Sequence, residues 1–426
     1  MKDTMRAIEG LQARQLDERL LEIYIDEEQL DYQRKRYINA VRKYEIIFDM
    51  NEIFIYSAPG RSEIGGNHTD HQHGEVLAAA LNVDAIAVVG RIDADEVCIF
   101  SEGYKQFTIS LDDLEVKEEE KGKTEALVRG ILFELKEKGY TIGGFQAYIT
   151  SDVLVGAGLS SSAAFETLIG TIVSGLYNEM SILPVEIAMA GHHAENVYFG
   201  KPCGMMDQMA CSFGNLIHID FEDVKNPMIE KIDCDFERSG YSLCITDTKS
   251  SHEDCTPEYA AVPKEMKAVA AVFEKEVLRE VGKEELFQNI SKVRAKSGDR
   301  ATLRAIHVMM ENERVKKEAE ALKTGDFEAF LQFVKASGDS SFKYLQNVYM
   351  NQDIEHQNVS IALALSDVIL GKNGVSRVHG GGFAGTIQAF VKNEAVEKYQ
   401  KYMDEVFGSD ACHVYQIRRY GGVKVI

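Results

Sequence analysis

The stretch Val155-Gly-Ala-Gly-Leu-Ser-Ser-Ser-Ala-Ala164 gathers, in one short run, residue types suited to chemistry. It follows a short apolar run, Tyr148 to Val155, and leads into an amphipathic one, Phe165 to Leu176. Glycine reaches backbone conformations closed to other residues. A helix start presents unpaired N–H groups at the positive end of a dipole, a setting that suits a phosphate chain. The run is not a P-loop, because no Gly-Lys-Ser/Thr closes it. Nor is it a dinucleotide fingerprint, because the third glycine is missing. A strand-to-helix turn that uses glycine for structural reasons alone fits it equally well. A second group, His68, His71 and His73, forms His-x-x-His-x-His. Imidazoles at such spacing bind zinc, but no cysteine lies nearby to complete a set.

The elements that must carry these residues read as mixed α/β. Residues 1 to about 48 read as helical, with Leu20, Leu21, Tyr24 and Ile25 at helical spacing. Ile53 to Ser57, Glu75 to Ala80, Ala85 to Val89 and Val97 to Phe100 read as short strands. Thr124 to Lys138 is an amphipathic helix with Leu127, Ile131, Leu132 and Leu135 on one face. Phe145 to Ser151 reads as a strand, and Pro184 to Tyr198 as a helix with proline in its first turn. Further on come a strand over Ser242 to Asp247, long helical stretches over 265–322, and a helix over Phe327 to Ala336. Val378 to Val391 reads as a glycine turn and strand, and His413 to Ile417 and Val423 to Ile426 as closing strands. No internal repeat or low-complexity linker interrupts the pattern.

Composition excludes several classes. The chain has 426 residues, room for two or three domains or one large two-lobed enzyme. Its net charge is −21, from 68 acidic against 47 basic residues. Such a surface repels nucleic acid and anionic lipid. An anionic substrate must then be held by local features: a glycine loop, a helix end, a metal, a few cations. No run of about 18 apolar residues is present, so no spanning helix is expected. Met1 to Arg19 has no apolar h-region, so no signal peptide is expected. Seven scattered cysteines without a CxxC pair point to reduced thiols and a cytoplasmic location.

Two more segments bear on the serine loop: Ser57-Ala-Pro-Gly-Arg-Ser-Glu-Ile-Gly-Gly-Asn-His-Thr-Asp-His-Gln-His-Gly74 and Val378-His-Gly-Gly-Gly-Phe-Ala-Gly385. Together the three resemble the motifs of the GHMP kinase superfamily. Gly60-Arg61, Gly66, His68, Thr69 and Asp70, and then Gly200-Lys-Pro-Cys-Gly-Met-Met-Asp-Gln208, are similar to the galactokinase branch. Leu303 to Val315 resembles a helical segment of that branch outside the active site. The resemblance runs from about Tyr37 to the C-terminus. It implies a two-lobed fold: a ribosomal-S5-like domain over 36–226 and a ferredoxin-like domain over 227–426, after a helical extension over 1–35. It further implies ATP- and Mg2+-dependent transfer of the γ-phosphoryl group to the anomeric hydroxyl of D-galactose. The partners are then a small sugar and ATP, with the chain a monomer or weak homodimer.

Carried over residue by residue, the resemblance makes Asp207 and Arg61 catalytic. Arg61 is expected in a turn at the end of a strand, where a fixed guanidinium lowers a neighbouring carboxyl's pKa and stabilises transition-state charge. Ser162 and Glu195 are the implied Mg2+ ligands. Gly156, Gly158, Ser160, Ser161 and Ser162 would line the phosphates. Asn67, His68, Asp70, Gly204 and Tyr259 would contact the sugar. Against each stands a plainer role: Asp207 a cap, Arg61 a structural ion pair, Ser162 a turn donor, Glu195 a solvated helix residue, Tyr259 a packing ring. Some positions depart from the family pattern. Asn67 replaces a glutamate associated with the sugar's 6-hydroxyl, His71 a tyrosine and Glu63 an asparagine, while Ala384 and His379 alter the third motif. These departures leave open a kinase for N-acetylgalactosamine, a uronic acid or arabinose. A galactose- and ATP-binding regulator without turnover, and a kinase for a non-sugar alcohol, also remain open.

Overall fold

Apolar residues fill both faces of two long strands, and this fixes the architecture. A computed structural model describes residues 2–50, 52–154, 158–234, 236–249, 256–383 and 385–426. The strands in chain order are β1 (Lys2–Asp3), β2 (Glu52–Gly65), β3 (Glu75–Arg91), β4 (Glu96–Ser101), β5 (Phe107–Ser110), β6 (Phe145–Ser151) and β7 (Leu216–Asp220). Then come β8 (Met228–Ile232), β9 (Tyr241–Asp247), β10 (Gly374–Val378), β11 (Thr386–Lys392), β12 (Cys412–Tyr415) and β13 (Val423–Lys424). The first sheet runs β1-β2-β3-β6-β4-β5, with β13 added on β2 and the β7–β8 hairpin added on β3. All its pairings are antiparallel except β4 with β6. The second sheet, β10-β11-β9-β12, is antiparallel throughout.

Alternation along a strand sends successive side chains to opposite faces. Tyr56, Ala58, Ala85, Ala87 and Val89 face helices α4 (Thr124–Glu137), α5 (Ser161–Tyr177) and α6 (Pro184–His193). Ile53, Ile55, Ile86 and Val88 face the other way. Their cover is the N-terminal segment, in which α1 (Thr4–Gln12), α2 (Asp17–Tyr24) and α3 (Leu30–Phe48) supply Leu11, Leu20, Tyr37 and Tyr44. Burying each such side chain is worth roughly 1.5–3 kcal/mol. A core shared by both sheets joins Ile64, Leu77 and Leu159 to Leu243 and Phe390.

The structure changes several expectations. The strands read over Glu75 to Ala80 and Ala85 to Val89 are one strand, β3, which pairs with β7 in its first half and β6 in its second. The strand expected to stop at Ser57 continues to Gly65, so Arg61 lies inside β2 and not in a turn after it. Register shifts between Pro59 and Arg61 and between Glu63 and Gly65 let the strand pass through Pro59-Gly60. Helix α3 runs unbroken across residue 35, where the helical extension was expected to end. The expected division at 226/227 falls inside the β7–β8 hairpin, and β13 returns from the second sheet to the first. Among the described residues, no helix is long and apolar enough to cross a membrane.

Candidate active site

The β2 bulge is where the serine loop comes to rest. A Cβ on Gly60 would lie 3.0 Å from the Leu159 carbonyl oxygen and 3.1 Å from Val153 Cγ1, so the close approach depends on glycine. The Arg61 N–H donates to that Leu159 carbonyl at 3.1 Å. The Arg61 side chain is 7% exposed and forks onto Asp207: Nε to Oδ1 at 2.6 Å and Nη2 to Oδ2 at 2.7 Å. Its Nη1 donates to the Gly158 carbonyl. Asp207 stands in the first turn of α7 (Met206–Phe213), where a helix dipole favours negative charge. The Ser160 hydroxyl donates to Asp207 Oδ2. Ser160 is in the left-handed region at φ 56°, a conformation costing about 1–3 kcal/mol that surrounding contacts must hold. Burial alone would raise the Asp207 carboxyl. The Arg61 guanidinium and the Ser160 hydroxyl outweigh it and hold the group below the usual carboxylate range.

One turn away lies a second carboxylate cluster. A π-helical segment, Ala194–Phe199, continues α6 and carries Glu195, which is 3% exposed. Such segments are frequent at functional sites. Glu195 Oε1 accepts from Ser162 Oγ at 3.4 Å and from Lys201 Nζ at 2.9 Å. Its Oε2 accepts from Gln208 Nε2 at 2.9 Å, and the same amide reaches Glu166 Oε2 at 3.0 Å. Burial, and next the Glu195 charge, push the Glu166 carboxyl well above the usual carboxylate range. Ser161, Ser162, Glu195 and Lys201 line one end of a cavity of about 930 Å3. Tyr104, Phe107, Leu127, Ile149 and Phe165 add apolar wall, and Glu102, Lys105, Lys123 and Glu125 add charged groups. The two clusters touch through sequence neighbours: Ser160 with Ser162, and Asp207 with Gln208.

The third glycine-rich segment braces the loop from behind. Gly158 sits at φ +68°, and a Cβ there would lie 3.1 Å from His379 Nδ1. That imidazole is held by Thr386 Oγ1 and Ser62 Oγ, each at 3.0 Å. Burial, and then the nearby Arg61 charge, keep His379 neutral.

Of the residues expected around the sugar, Gly204 meets Asp70, while His68 and Tyr259 meet at the Gly381-Gly382 backbone. Gly204 packs so closely on the Asp70 carboxylate that a Cβ would overlap it. His68, at φ 60°, directs Nε2 at the Gly381 carbonyl, 3.0 Å away. A carbonyl only accepts, so Nε2 carries the proton and Nδ1 is left as an acceptor. Burial, with His71 next, lowers His68 to about 3 and keeps it neutral. Tyr259 donates to the Gly382 carbonyl at 2.7 Å and packs edge-on to Phe383.

Asn67 is the exception. It is fully buried. Its Nδ2 donates to Glu63 at 3.0 Å and to the Gly380 carbonyl at 2.6 Å. Its Oδ1 accepts from Ser341 at 3.1 Å and from Asn347 at 2.8 Å. An amide has two donors and two lone pairs, so none is left for a sugar hydroxyl. Glu63 is likewise committed, to Asn67 and Arg377. Gly156 and Ala384 lie outside the described residues.

Sequence reasoning missed Lys201, Glu166 and Gln208. All three carried a signal. Lys201 and Gln208 lie inside the segment quoted above for its resemblance, and Glu166 stands four residues after Ser162, on the same helix face. Ser162 and Glu195 offer hard oxygen donors on a cavity wall, a donor set suited to Mg2+, which takes one or two protein ligands and fills the rest with phosphates and water.

Comparison with known proteins points to one family. Residues 42–91 match the galactokinase galactose-binding signature and residues 126–215 the N-terminal domain of GHMP kinases. A galactokinase of Glaesserella parasuis is 32% identical over 82% of this chain and 88% of its own. One of Thermotoga maritima is 31% identical over 87% of this chain and 99% of its own. Among solved structures, Lactococcus lactis galactokinase complexed with galactose superposes with a TM-score of 0.77 at 24% identity, over 90% of this chain and 98% of its own. A mevalonate kinase follows the same fold with a TM-score of 0.59 at 17% identity, over 85% of this chain and 98% of its own.

Proposed function

From the premise that the chain belongs to the galactokinase family of GHMP kinases and is an ATP-dependent sugar kinase, we propose that it phosphorylates D-galactose at O1, giving galactose 1-phosphate and ADP. The observation that carries the reading is the fork of Arg61 on Asp207, joined by Ser160, at the mouth of the serine loop. The sugar O1 hydroxyl donates to the Asp207 carboxylate. A carboxylate held this acidic is a weak base, so it orients the hydroxyl first and takes the proton only as the O–P bond forms and the hydroxyl acidifies. Arg61 stabilises charge developing on the transferred group.

The apolar wall of the cavity suits adenine, and the α5 start with Ser161 and Ser162 suits the phosphates. Ser162 and Glu195 would hold Mg2+, which when bound neutralises phosphate charge. Lys201 neutralises Glu195 and offers the phosphate chain a further cation. His68, Asp70, Gly204 and Tyr259 would form the sugar side. Reduced thiols support a cytoplasmic setting, since the described cysteines are all free.

A second reading concerns the 6-position. Asn67 has no capacity free for a hydroxyl there, and Glu63 is buried against Asn67 and Arg377, which favours tolerance of C6-altered hexoses. A sugar panel with coupled ADP detection tests both readings. Galactose should turn over, and 6-deoxygalactose should follow within about tenfold, the scale of one weak contact. No sugar-dependent ADP release would remove the kinase reading. Strong preference for a sugar altered elsewhere would remove the galactose assignment.

A further inference from the structure

The N-terminal helices touch the nucleotide side of the molecule through one helix. Asp152 sits where β6 ends and the serine loop begins. Its Oδ1 accepts from the Tyr32 hydroxyl at 3.1 Å, and its Oδ2 pairs with Arg36 Nη1 at 3.1 Å. Arg36 also reaches the Thr150 carbonyl at 3.4 Å. Both side chains come from α3.

The base of this contact is rigid. Arg36 binds the buried Asp84 through Oδ1 at 2.7 Å and through its carbonyl at 2.9 Å. Asp84 is also held by Arg418 and Ser57, and its carbonyl accepts the Asp152 N–H at 2.9 Å. Eleven residues further along the chain from Tyr32, Lys43 pairs with Glu102. The other Glu102 oxygen accepts from Thr150 Oγ1 at 2.6 Å. Glu102, Thr150 and Ser151 all line the large cavity, as do Val153 and Leu154 just after Asp152.

We propose that α3 is a positioning element of the nucleotide site: Tyr32, Arg36 and Lys43 fix the end of β6 and the entry to the serine loop from outside the sheet. None of the three lines the cavity. They act through Asp152 and Glu102, and so set the geometry that the phosphates meet. The inference rests on the assignment of ATP to that cavity. It gives the helical segment before β2 a role in nucleotide affinity beyond covering apolar strands.

The test uses the full chain and two exposed positions, so that folding is spared. Tyr32 is 51% exposed and the Lys43 side chain 40% exposed. The double variant Tyr32→Phe/Lys43→Met is expected to raise KM for ATP about fivefold, the scale of two part-exposed polar contacts. KM for galactose and the melting temperature should stay at wild-type values. Lys43→Arg should restore half or more of the loss in the Tyr32→Phe background. An unchanged KM for ATP, or equal rises in both KM values, would overturn the proposal. Ser162→Ala serves as the control on the cavity itself. If it raises KM for ATP while the double variant does not, only the α3 role fails. If Ser162→Ala leaves KM for ATP unchanged, the nucleotide assignment falls and this inference with it.

Discussion

Replacing Arg61 by lysine separates the fork from the charge. The guanidinium makes two bonds to Asp207 and one to the Gly158 carbonyl. A lysine ammonium keeps the charge but, as a compact point donor, reaches at most one of these groups well. Hydrogen bonds involving a charged group contribute about 1.5–3 kcal/mol each. The Asp207 side chain is 32% exposed, so the low end applies. Loss of one to two such bonds in the transition state amounts to about 1.5–3 kcal/mol, or roughly 10- to 150-fold in kcat at 1.36 kcal/mol per decade.

A pH signature accompanies the loss. Burial pushes the Asp207 carboxyl up and Arg61 pulls it down. Weakening the pull lets the folded-state pKa rise. Activity that needs the carboxylate then dies at a higher pH, so the acid limb of kcat moves upward in Arg61→Lys. Steady-state kinetics from pH 5 to 9 with coupled ADP detection reads both effects. A variant with kcat within twofold of wild type and an unmoved acid limb would refute the argument that the fork sets the state of Asp207.

Three further outcomes follow from the packing around the site and core. Asn67→Ala takes the Asn67 partner from buried Ser341, Glu63, Asn347 and the Gly380 carbonyl and should cost about 3 kcal/mol or more in urea unfolding, while the ratio of kcat/KM for galactose over 6-deoxygalactose stays put. Gly204→Ala drives a methyl group into the Asp70 carboxylate, and should raise KM for the sugar by about tenfold or more with KM for ATP unchanged. Glu318 is buried with neither oxygen hydrogen-bonded, and burial, against the opposing Arg377 and Arg314 charges, pushes it up to about 8. Its folded pKa lies above its unfolded value of about 4.3, so the fold binds the extra proton. The proton's contribution is present below about pH 4.3 and is lost as pH rises towards about 8. Glu318→Gln should therefore flatten the decline of urea midpoints measured at pH 5, 7 and 8.5, and an unchanged slope would count against a buried protonated carboxyl.

The site was more legible in the sequence than its frame. Gly158, Ser160 and Ser162 sit in a segment whose residue types stand out, Arg61, Asp207 and Glu195 were picked out by family resemblance, and the structure brings them together. Long strands were harder to read. In β2 and β3 both faces are buried, so the alternation that marks a half-exposed strand is absent and Pro59-Gly60 looks like an ending. Helix α7 spans only eight residues and begins within a glycine-rich stretch, leaving no periodicity to detect. Asn67 misled for another reason. Its place in the motif points to the pocket, but its four hydrogen bonds come from residues up to 313 positions away, which local pattern cannot reveal. The pairing of Tyr32 and Arg36 with Asp152 is of the same long-range kind.

The central claim is that one carboxylate, held by one arginine beside the serine loop, governs phosphoryl transfer without being needed to bind nucleotide. Asp207→Asn tests it most directly, because the amide keeps the shape and removes the charge. With wild type and variant side by side, single-turnover transfer to galactose is measured together with ATP affinity by calorimetry. Transfer should fall by about 10²- to 10⁴-fold while the dissociation constant for ATP stays within about threefold. Transfer within tenfold of wild type, or loss of ATP binding in step with transfer, would contradict the account.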